Sequence, residues 1–366
     1  MNIGRIDQFA ASVAVGDGVT NSLTFTRELL RELGYASDIF SYCVPDQLKG
    51  DILPAQALQG SETSLLLYHH SMGHDYGQWL LSQRCPRALV YHNITPAEFF
   101  PAESGLRQYA LLGRQQLVDW RDEFIGAIAV SPLNQRELEF AGYEGVKTLP
   151  LLVDSRRLEG EIAAPIFIET GNDTAYYLCV GRLAENKRQH LLIEAFYHLV
   201  QLQQGEPGRS LRLLLVGGTT SEDYARGLRH HIEQLGLQEK VIMPGKCSEA
   251  ELRWLYQNAQ QYWCASAHEG FCMPLIEAQH AGLPIIACAQ SNVPETLGEG
   301  GLLLGSDEPL GIALTARLLD QTPGLREQII AAGKRNVERY ERQLLKDQLA
   351  AWIEPLILSS TQRQYS

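Results

Sequence analysis

Short apolar runs alternate with amphipathic segments along the whole chain, the rhythm of parallel strands joined by helical crossovers. In the first half, residues 3–6 read as a strand followed by a glycine-containing loop. Residues 20–33 carry helical periodicity and stop at Gly34, a residue suited to the left-handed position that ends a helix. Residues 36–41, 64–68 and 88–91 read as further strands, the last two buried and ending in polar, histidine-bearing loops. Residues 105–122 read as a helix, and residues 126–130 as a strand leading into Ser131-Pro132, a helix start. Over residues 149–173 the rhythm breaks: Pro150, Pro165 and Gly171 interrupt any period, so this stretch reads as a linker. The pattern then restarts, with strands at 176–180, 211–216, 241–243, 261–265 and 284–287 and helices at 188–203, 223–235, 249–259 and 273–281. Residues 342–356 close it as a helix of mixed polarity, and the polar residues 359–366 read as a disordered tail.

A chain of 366 residues, 45% of them apolar, is long for one α/β core and suits two. We expect domains at residues 1–165 and 166–341, with a last segment at 342–366. Open α/β sheets bind ligands at the carboxyl ends of their strands, so the loops there are the places to look for chemistry.

Charge narrows the partners. A formal net charge of −12 lacks the lysine and arginine excess that phosphate neutralisation needs, which argues against nucleic acid. The seven cysteines (Cys43, Cys85, Cys179, Cys247, Cys264, Cys272 and Cys288) form no C-x-x-C pair, and several sit in apolar runs. That usage implies a reduced, cytoplasmic protein with neither a disulfide framework nor a metal site. Residues 9–15 weakly imitate a signal peptide after Arg5, but the run is short and ends at Gly16-Asp17-Gly18. No stretch approaches the roughly 20 apolar residues of a membrane span, so the expectation is a soluble protein, at most peripheral at a membrane.

The densest chemistry lies in Glu269-Gly270-Phe271-Cys272-Met273-Pro274-Leu275-Ile276-Glu277, after an expected buried strand and opening a helix. Glu269 falls on the loop and Glu277 about one turn into the helix. Between them the helix N-terminus offers amides and a dipole that favours anions. A ligand with hydroxyls at both ends and phosphate in the middle matches that order. A purely structural reading makes Glu269 a helix cap and Glu277 a solvated helix residue. Upstream, Val180-Gly181-Arg182-Leu183-Ala184-Glu185-Asn186-Lys187 again follows a strand and precedes a helix. Arg182 and Lys187 are either surface charges or fixed cations for a leaving phosphate.

Together these segments resemble the E-x7-E and G-R-x-x-x-x-K motifs of retaining glycosyltransferases of family four, with the GT-B fold. The resemblance is strong over residues 176–300 and extends to most of the chain. It implies an α/β architecture of two Rossmann-like domains facing a central cleft, the second binding the nucleotide-sugar, with the final helix crossing back to the first. It implies that Glu269 faces the donor sugar, Glu277 holds the ribose hydroxyls, the amides of Gly270, Phe271, Cys272 and Met273 meet the diphosphate, and Arg182 and Lys187 neutralise it. Backbone near Gly245-Lys246-Cys247 would lie beside the nucleobase.

First-half signals are thinner. Gly16-Asp17-Gly18 opens a helix after the first strand, as a loop near donor or acceptor does in many members. Asp17 either orients an acceptor hydroxyl or caps the helix. Tyr91-His92-Asn93-Ile94-Thr95-Pro96 resembles a segment of bacterial polysaccharide-synthesis members, in which His92 would hydrogen-bond the donor sugar. Tyr68-His69-His70-Ser71 is a second polar strand end, and adjacent histidines on a strand point in opposite directions. Asn292-Val293-Pro294-Glu295 reads as a plain helix start.

The reading that follows is a hexosyltransferase acting with retention. A nucleotide-sugar is its co-substrate, GDP-hexose ahead of UDP-hexose, and it needs no cofactor or metal. The acceptor would be a glycan hydroxyl, lipid-linked in lipopolysaccharide or exopolysaccharide synthesis, reached by peripheral contact with the inner membrane. The rivals are a GT-B epimerase or phosphorylase, a binding module without transferase activity, and a nicotinamide oxidoreductase, the last disfavoured because no G-x-G-x-x-G is present.

Overall fold

The computed structural model describes residues 4–61, 63–150, 159–168, 174–203, 209–219 and 221–364, with side chains as far as residue 358. The chain divides into two compact units, Met1–Asp154 with Tyr340–Ser366, and Ser155–Arg339. Most of the linker expected over residues 149–173 lies outside the described residues.

In the first unit the strands are β1 (Ile6–Ser12), β2 (Ile39–Cys43), β3 (Leu53–Pro54), β4 (Leu65–His70), β5 (Arg87–Tyr91), β6 (Ala127–Ala129) and β7 (Lys147–Thr148). The helices before the second unit are α1 (Gly18–Glu32), α2 (Gly77–Leu81), α3 (Gly105–Asp119) and α4 (Pro132–Phe140). All strands are parallel, in the order β3-β2-β1-β4-β5-β6-β7. The second unit contains β8 (Thr174–Val180), β9 (Ser210–Val216), β10 (Val241–Gly245), β11 (Gln261–Cys264), β12 (Ile285–Cys288) and β13 (Leu302–Leu304). They too are parallel, in the order β10-β9-β8-β11-β12-β13. Its helices are α5 (Gln189–Leu202), α6 (Glu222–Gln234), α7 (Glu249–Asn258), α8 (Met273–His280), α9 (Val293–Leu297), α10 (Pro309–Gln321) and α11 (Pro323–Val337). The last helix, α12 (Arg342–Gln364), belongs to the first unit.

Each sheet is covered on both faces, which is why its central strands are continuous apolar runs. On one face of the first sheet, Ile6, Leu65, Leu67, Val90 and Ile128 pack against Phe25 and Leu29 of α1 and against Leu345, Leu349 and Ile353 of α12. Arg342 anchors α12 at its start, reaching Glu32 Oε1 (2.5 Å) and Glu28 Oε2 (3.1 Å) on α1. The opposite face carries Phe9, Tyr68, Leu89 and Tyr91 under α3 and α4.

The first strand starts at Ile6, where the apolar pattern ends it, because two polar side chains are buried inside it. Asp7 is paired with Arg5 (2.7 Å) and bonded by Thr63 (2.7 Å), while Gln8 donates to Leu23 O (3.1 Å). Satisfied partners let polar residues occupy a core strand and hide it from a hydropathy reading. The expected tail is also corrected: helical backbone runs on to Gln364, through Pro355. Two helices and an edge strand (α10, α11 and β13) carry no signal strong enough to be read beforehand. Ser131 caps α4 by accepting from Asn134 N–H (3.2 Å), and Pro294 sits in the first turn of α9, as expected.

Candidate functional site

In the second unit three neighbouring strands end in glycines stitched by backbone bonds. Gly181 N–H donates to Val216 O (2.9 Å), Leu183 N–H to Gly218 O (2.9 Å), and Gly217 N–H to Gly245 O (2.8 Å). Gly217 has φ +146°, and a Cβ there would stand 2.1 Å from Gly181 O, so only glycine allows this approach. Arg182 leaves this edge exposed and has no carboxylate partner among the described residues. Gly245 also has a positive φ (+83°), and Lys246, exposed, lies with its stem over Gly218.

Beyond Arg182 the chain makes a 3-10 turn over Glu185–Lys187, and Arg188 takes a left-handed conformation (φ +50°) to enter α5. Buried Asn186 ties this turn to the other motif: its carbonyl accepts from Ala267 N–H (2.8 Å) and its side chain donates to His268 O (3.0 Å). The turn thereby carries Lys187 Nζ to 2.5 Å from Glu269 Oε1, with the side chains only 17% and 9% exposed. Burial alone would pull the ammonium down and push the carboxyl up. Burial is the largest single influence on each, but their mutual charge and hydrogen bonds together outweigh it, so Lys187 is held above the usual lysine range and Glu269 below the usual carboxylate range. Ser266 and Cys272 add hydrogen bonds to the Glu269 carboxylate. Ser291 fixes the backbone of Glu269, accepting from its N–H (3.2 Å) and donating to its carbonyl (2.9 Å).

From Glu269 the loop runs through Gly270 and buried Phe271 to Cys272, whose left-handed backbone (φ +77°) turns it into α8 at Met273. Thr296 pins the turn by donating to Phe271 O (2.5 Å). Glu277, on the second turn of α8, accepts from the phenol of buried Tyr256 (2.7 Å). Burial and then the Glu277 charge push that phenol well up, so it stays a donor. The two glutamates are therefore neither a helix cap nor a solvated helix residue. Cys264, Glu269 and Cys272 bring two thiols and a carboxylate within 4.8 Å of one another.

In the first unit, Gly16 (φ +76°) turns the chain into α1, and Asp17 caps that helix, accepting from Val19 N–H (3.1 Å). Gly18 is the first residue of the helix. His92 follows β5 and is 8% exposed, its Nε2 lying 2.8 Å from His69 Nδ1. As strand geometry requires, His70 points the other way, to Tyr68 OH (2.5 Å) and Gly113 O (3.0 Å). Burial pushes His70 down to about 4 and His92 to about 3, so both rings are neutral.

Residues 166–336 match the family model for Glycosyl transferases group 1. This segment of the chain is a group 1 glycosyltransferase domain. Among similar curated proteins are a D-inositol 3-phosphate glycosyltransferase of Streptomyces bingchenggensis, 27% identical over 191 residues (50% of this chain, 41% of that one), and the O-antigen chain mannosyltransferase RfbU of Salmonella typhimurium, 28% identical over 190 residues (51% and 49%). The chain thus spans less than half the length of these relatives. Among solved structures, Anabaena HepE in complex with UDP and glucose superposes with a TM-score of 0.74 at 17% identity, over 96% of this chain and 100% of that one. WaaG, a glycosyltransferase involved in lipopolysaccharide biosynthesis, superposes with a TM-score of 0.71 at 14% identity, over 95% and 99%. With two parallel-sheet α/β units, the fold is GT-B.

Within the glycosyltransferase domain, the motif residues Arg182, Lys187, Glu269 and Glu277 all come from loops or helices that follow β8 or β11, at the carboxyl edge of one sheet. Asn186, Tyr256, Ser266 and Ser291 hold them and were not legible beforehand. Each lies outside the motif glutamates and acts through a contact made only on folding. Among the described residues no helix is long and apolar enough to cross a membrane.

Proposed function

We propose that the chain is a retaining hexosyltransferase that moves a sugar, mannose or a close relative, from a nucleotide-sugar to a glycan hydroxyl. The observation that carries this is the buried Lys187–Glu269 pair (2.5 Å), with exposed Arg182 on the same loop as Lys187 and Glu277 on the helix that follows Glu269. Glu269 faces the sugar, Glu277, held by Tyr256, takes the ribose hydroxyls, and the Gly270–Met273 turn takes the diphosphate. Lys187 and Arg182 stabilise the charge that grows on the leaving diphosphate, and pre-placed cations do so without reorganising. The departing phosphate accepts the acceptor proton on the face it leaves, which explains retention and dispenses with a separate base. His92 bonds a sugar hydroxyl, and Gly16–Gly18 approach the substrate. Gly245 and Lys246 border the nucleobase. No cofactor or metal takes part.

The donor is a GDP-hexose, on the resemblance of residues 91–96 and on similarity to an O-antigen mannosyltransferase. UDP-hexose is the second reading, favoured by the UDP bound in structural relatives. The acceptor is a lipid-linked cell-surface glycan, met by the enzyme in the cytoplasm at the inner membrane. The test is thermal shift with GDP, UDP, ADP and their sugar conjugates, since a ligand binding only the folded state raises the melting temperature. This is followed by product analysis of anomeric configuration. A shift with GDP conjugates and an α-linked product from an α-donor are expected. A shift with UDP conjugates alone moves the donor to the second reading, an inverted anomer overturns retention, and no shift with any nucleotide overturns the donor site.

A further inference from the structure

The first sheet ends in a histidine pair of which the resemblance to the glycosyltransferases assigns only His92. Parallel pairing places Ala10, His69 and Val90 side by side on β1, β4 and β5. Register partners on parallel strands share a face. Ala10 packs with Val13 and with Leu23 of α1, so His69 is on the α1 face. His92 lies two residues beyond Val90 and returns to that face. There the rings stack at 22° with centroids 5.0 Å apart, joined by the 2.8 Å Nδ1–Nε2 bond.

Three facts set this pair apart from ordinary core histidines. It contains no carboxylate: each ring nitrogen in the bond belongs to another imidazole. Both residues are nearly closed to solvent, at 2% and 8% exposure. And the two remaining nitrogens, His69 Nε2 and His92 Nδ1, are buried with no hydrogen-bond partner. An orphaned buried polar atom costs stability, so two of them in one ring pair make a site built at the expense of stability. By contrast, the neighbouring His70 has both ring nitrogens bonded.

Burial, with the neighbouring ring's charge as a smaller cause, holds both imidazoles neutral. Two neutral rings sharing one N–H leave one free donor and one free acceptor between them, and which is which is set by the single shared proton. A hydroxyl, which both gives and takes a hydrogen bond, satisfies either end. A phosphate or carboxylate finds no cation there.

We propose that His69 is the positioning residue for His92: it holds Nε2, fixes the ring's tautomer and orientation, and leaves Nδ1 as the atom that meets a substrate hydroxyl. The role of His92 toward a sugar rests on the function proposed above, whereas the bond itself does not. Two measurements separate them. In the free protein, nitrogen-15 spectra should show coupling across the hydrogen bond between His69 Nδ1 and His92 Nε2, with both rings neutral at pH 6. Absence of that coupling in folded protein overturns the pair, whatever the enzyme does. In the transferase assay, His69→Phe should lower kcat on the order of tenfold or more, and His69→Gln, which can still bond Nε2, should recover most of it. The double variant His69→Phe with His92→Ala should be no slower than His92→Ala alone, because the first residue acts only through the second. Independent, multiplying losses, or wild-type kcat in folded His69→Phe, would overturn the positioning role. If wild-type protein transfers no sugar while the coupling is present, the proposed function fails and the pair stands.

Discussion

The two units each bury a polar pair where their sheet strands end, and they solve the burial problem in opposite ways. In the second unit, Lys187 and Glu269 stay charged, because each charge is the other's partner and Ser266 and Cys272 add hydrogen bonds. In the first, His69 and His92 are equally enclosed but have no counter-charge, and burial discharges them. The lesson concerns chemistry as much as stability. A paired charge is available to stabilise charge in a reaction. A neutral imidazole pair is available to read the hydroxyls of an uncharged group.

The comparison breaks first at the ion pair. Lys187→Ala and Glu269→Ala should each lower turnover on the order of a hundredfold, the loss expected for one electrostatic stabiliser, as steady-state kinetics will show. Lys187→Met alone should also destabilise the fold by about 3–5 kcal/mol, since it strands a buried carboxylate. Adding Glu269→Gln should recover much of that stability in denaturant melts without recovering activity. If stability and turnover return together, the pair is structural and not chemical.

Next comes the edge that carries the pair. Gly217→Ala forces a Cβ into Gly181 O at a positive φ and should cost on the order of 3 kcal/mol in denaturant unfolding. An unchanged midpoint would show that the stitched strand ends can relax.

The pH response sharpens the contrast. His70, His92 and the neighbouring His74, whose Nε2 lies 2.8 Å from Tyr68 OH, have folded values of about 4, 3 and 4, below their ordinary 6.5. The unfolded chain therefore binds more protons in that window, and stability falls as pH drops below 6.5. The loss is about 1 kcal/mol per pH unit for each histidine until its folded value is reached. The Glu269 carboxyl is depressed instead, so its contribution persists until pH falls below the ordinary 4.5 and on through its lower folded value. Melting at pH 7.5, 6.5 and 5.5 should thus report chiefly the first unit, with a smaller share from His190 on α5, which burial also pushes down, and His70→Gln should flatten the slope. A flat profile in the wild type would mean that the rings are not held neutral.

The smallest effect is expected at Asp17→Ala, about 1 kcal/mol for a lost helix cap. A much larger loss of activity than of stability there would give Asp17 a substrate role besides the cap.

The alternation of apolar runs with 3.6-period segments determined, from sequence alone, that the protein has parallel α/β sheets, because strands covered on both faces must be continuously apolar. The spacing of Glu269 and Glu277 and the Gly181–Lys187 segment likewise marked the glycosyltransferase domain, since a loop, a helix start and the turn that follows are local structures. Elements whose polar residues find partners only on folding were hidden: β1 was misplaced by Asp7 and Gln8, which look exposed until Arg5, Thr63 and the Leu23 carbonyl are brought to them. Tertiary structure alone decided that Lys187 meets Glu269 across 82 residues, that Tyr256 meets Glu277, and that His69 takes His92 while His70 does not. Those pairings depend on strand order and on which face of a sheet a residue occupies, and neither is encoded in the local period that a chain displays.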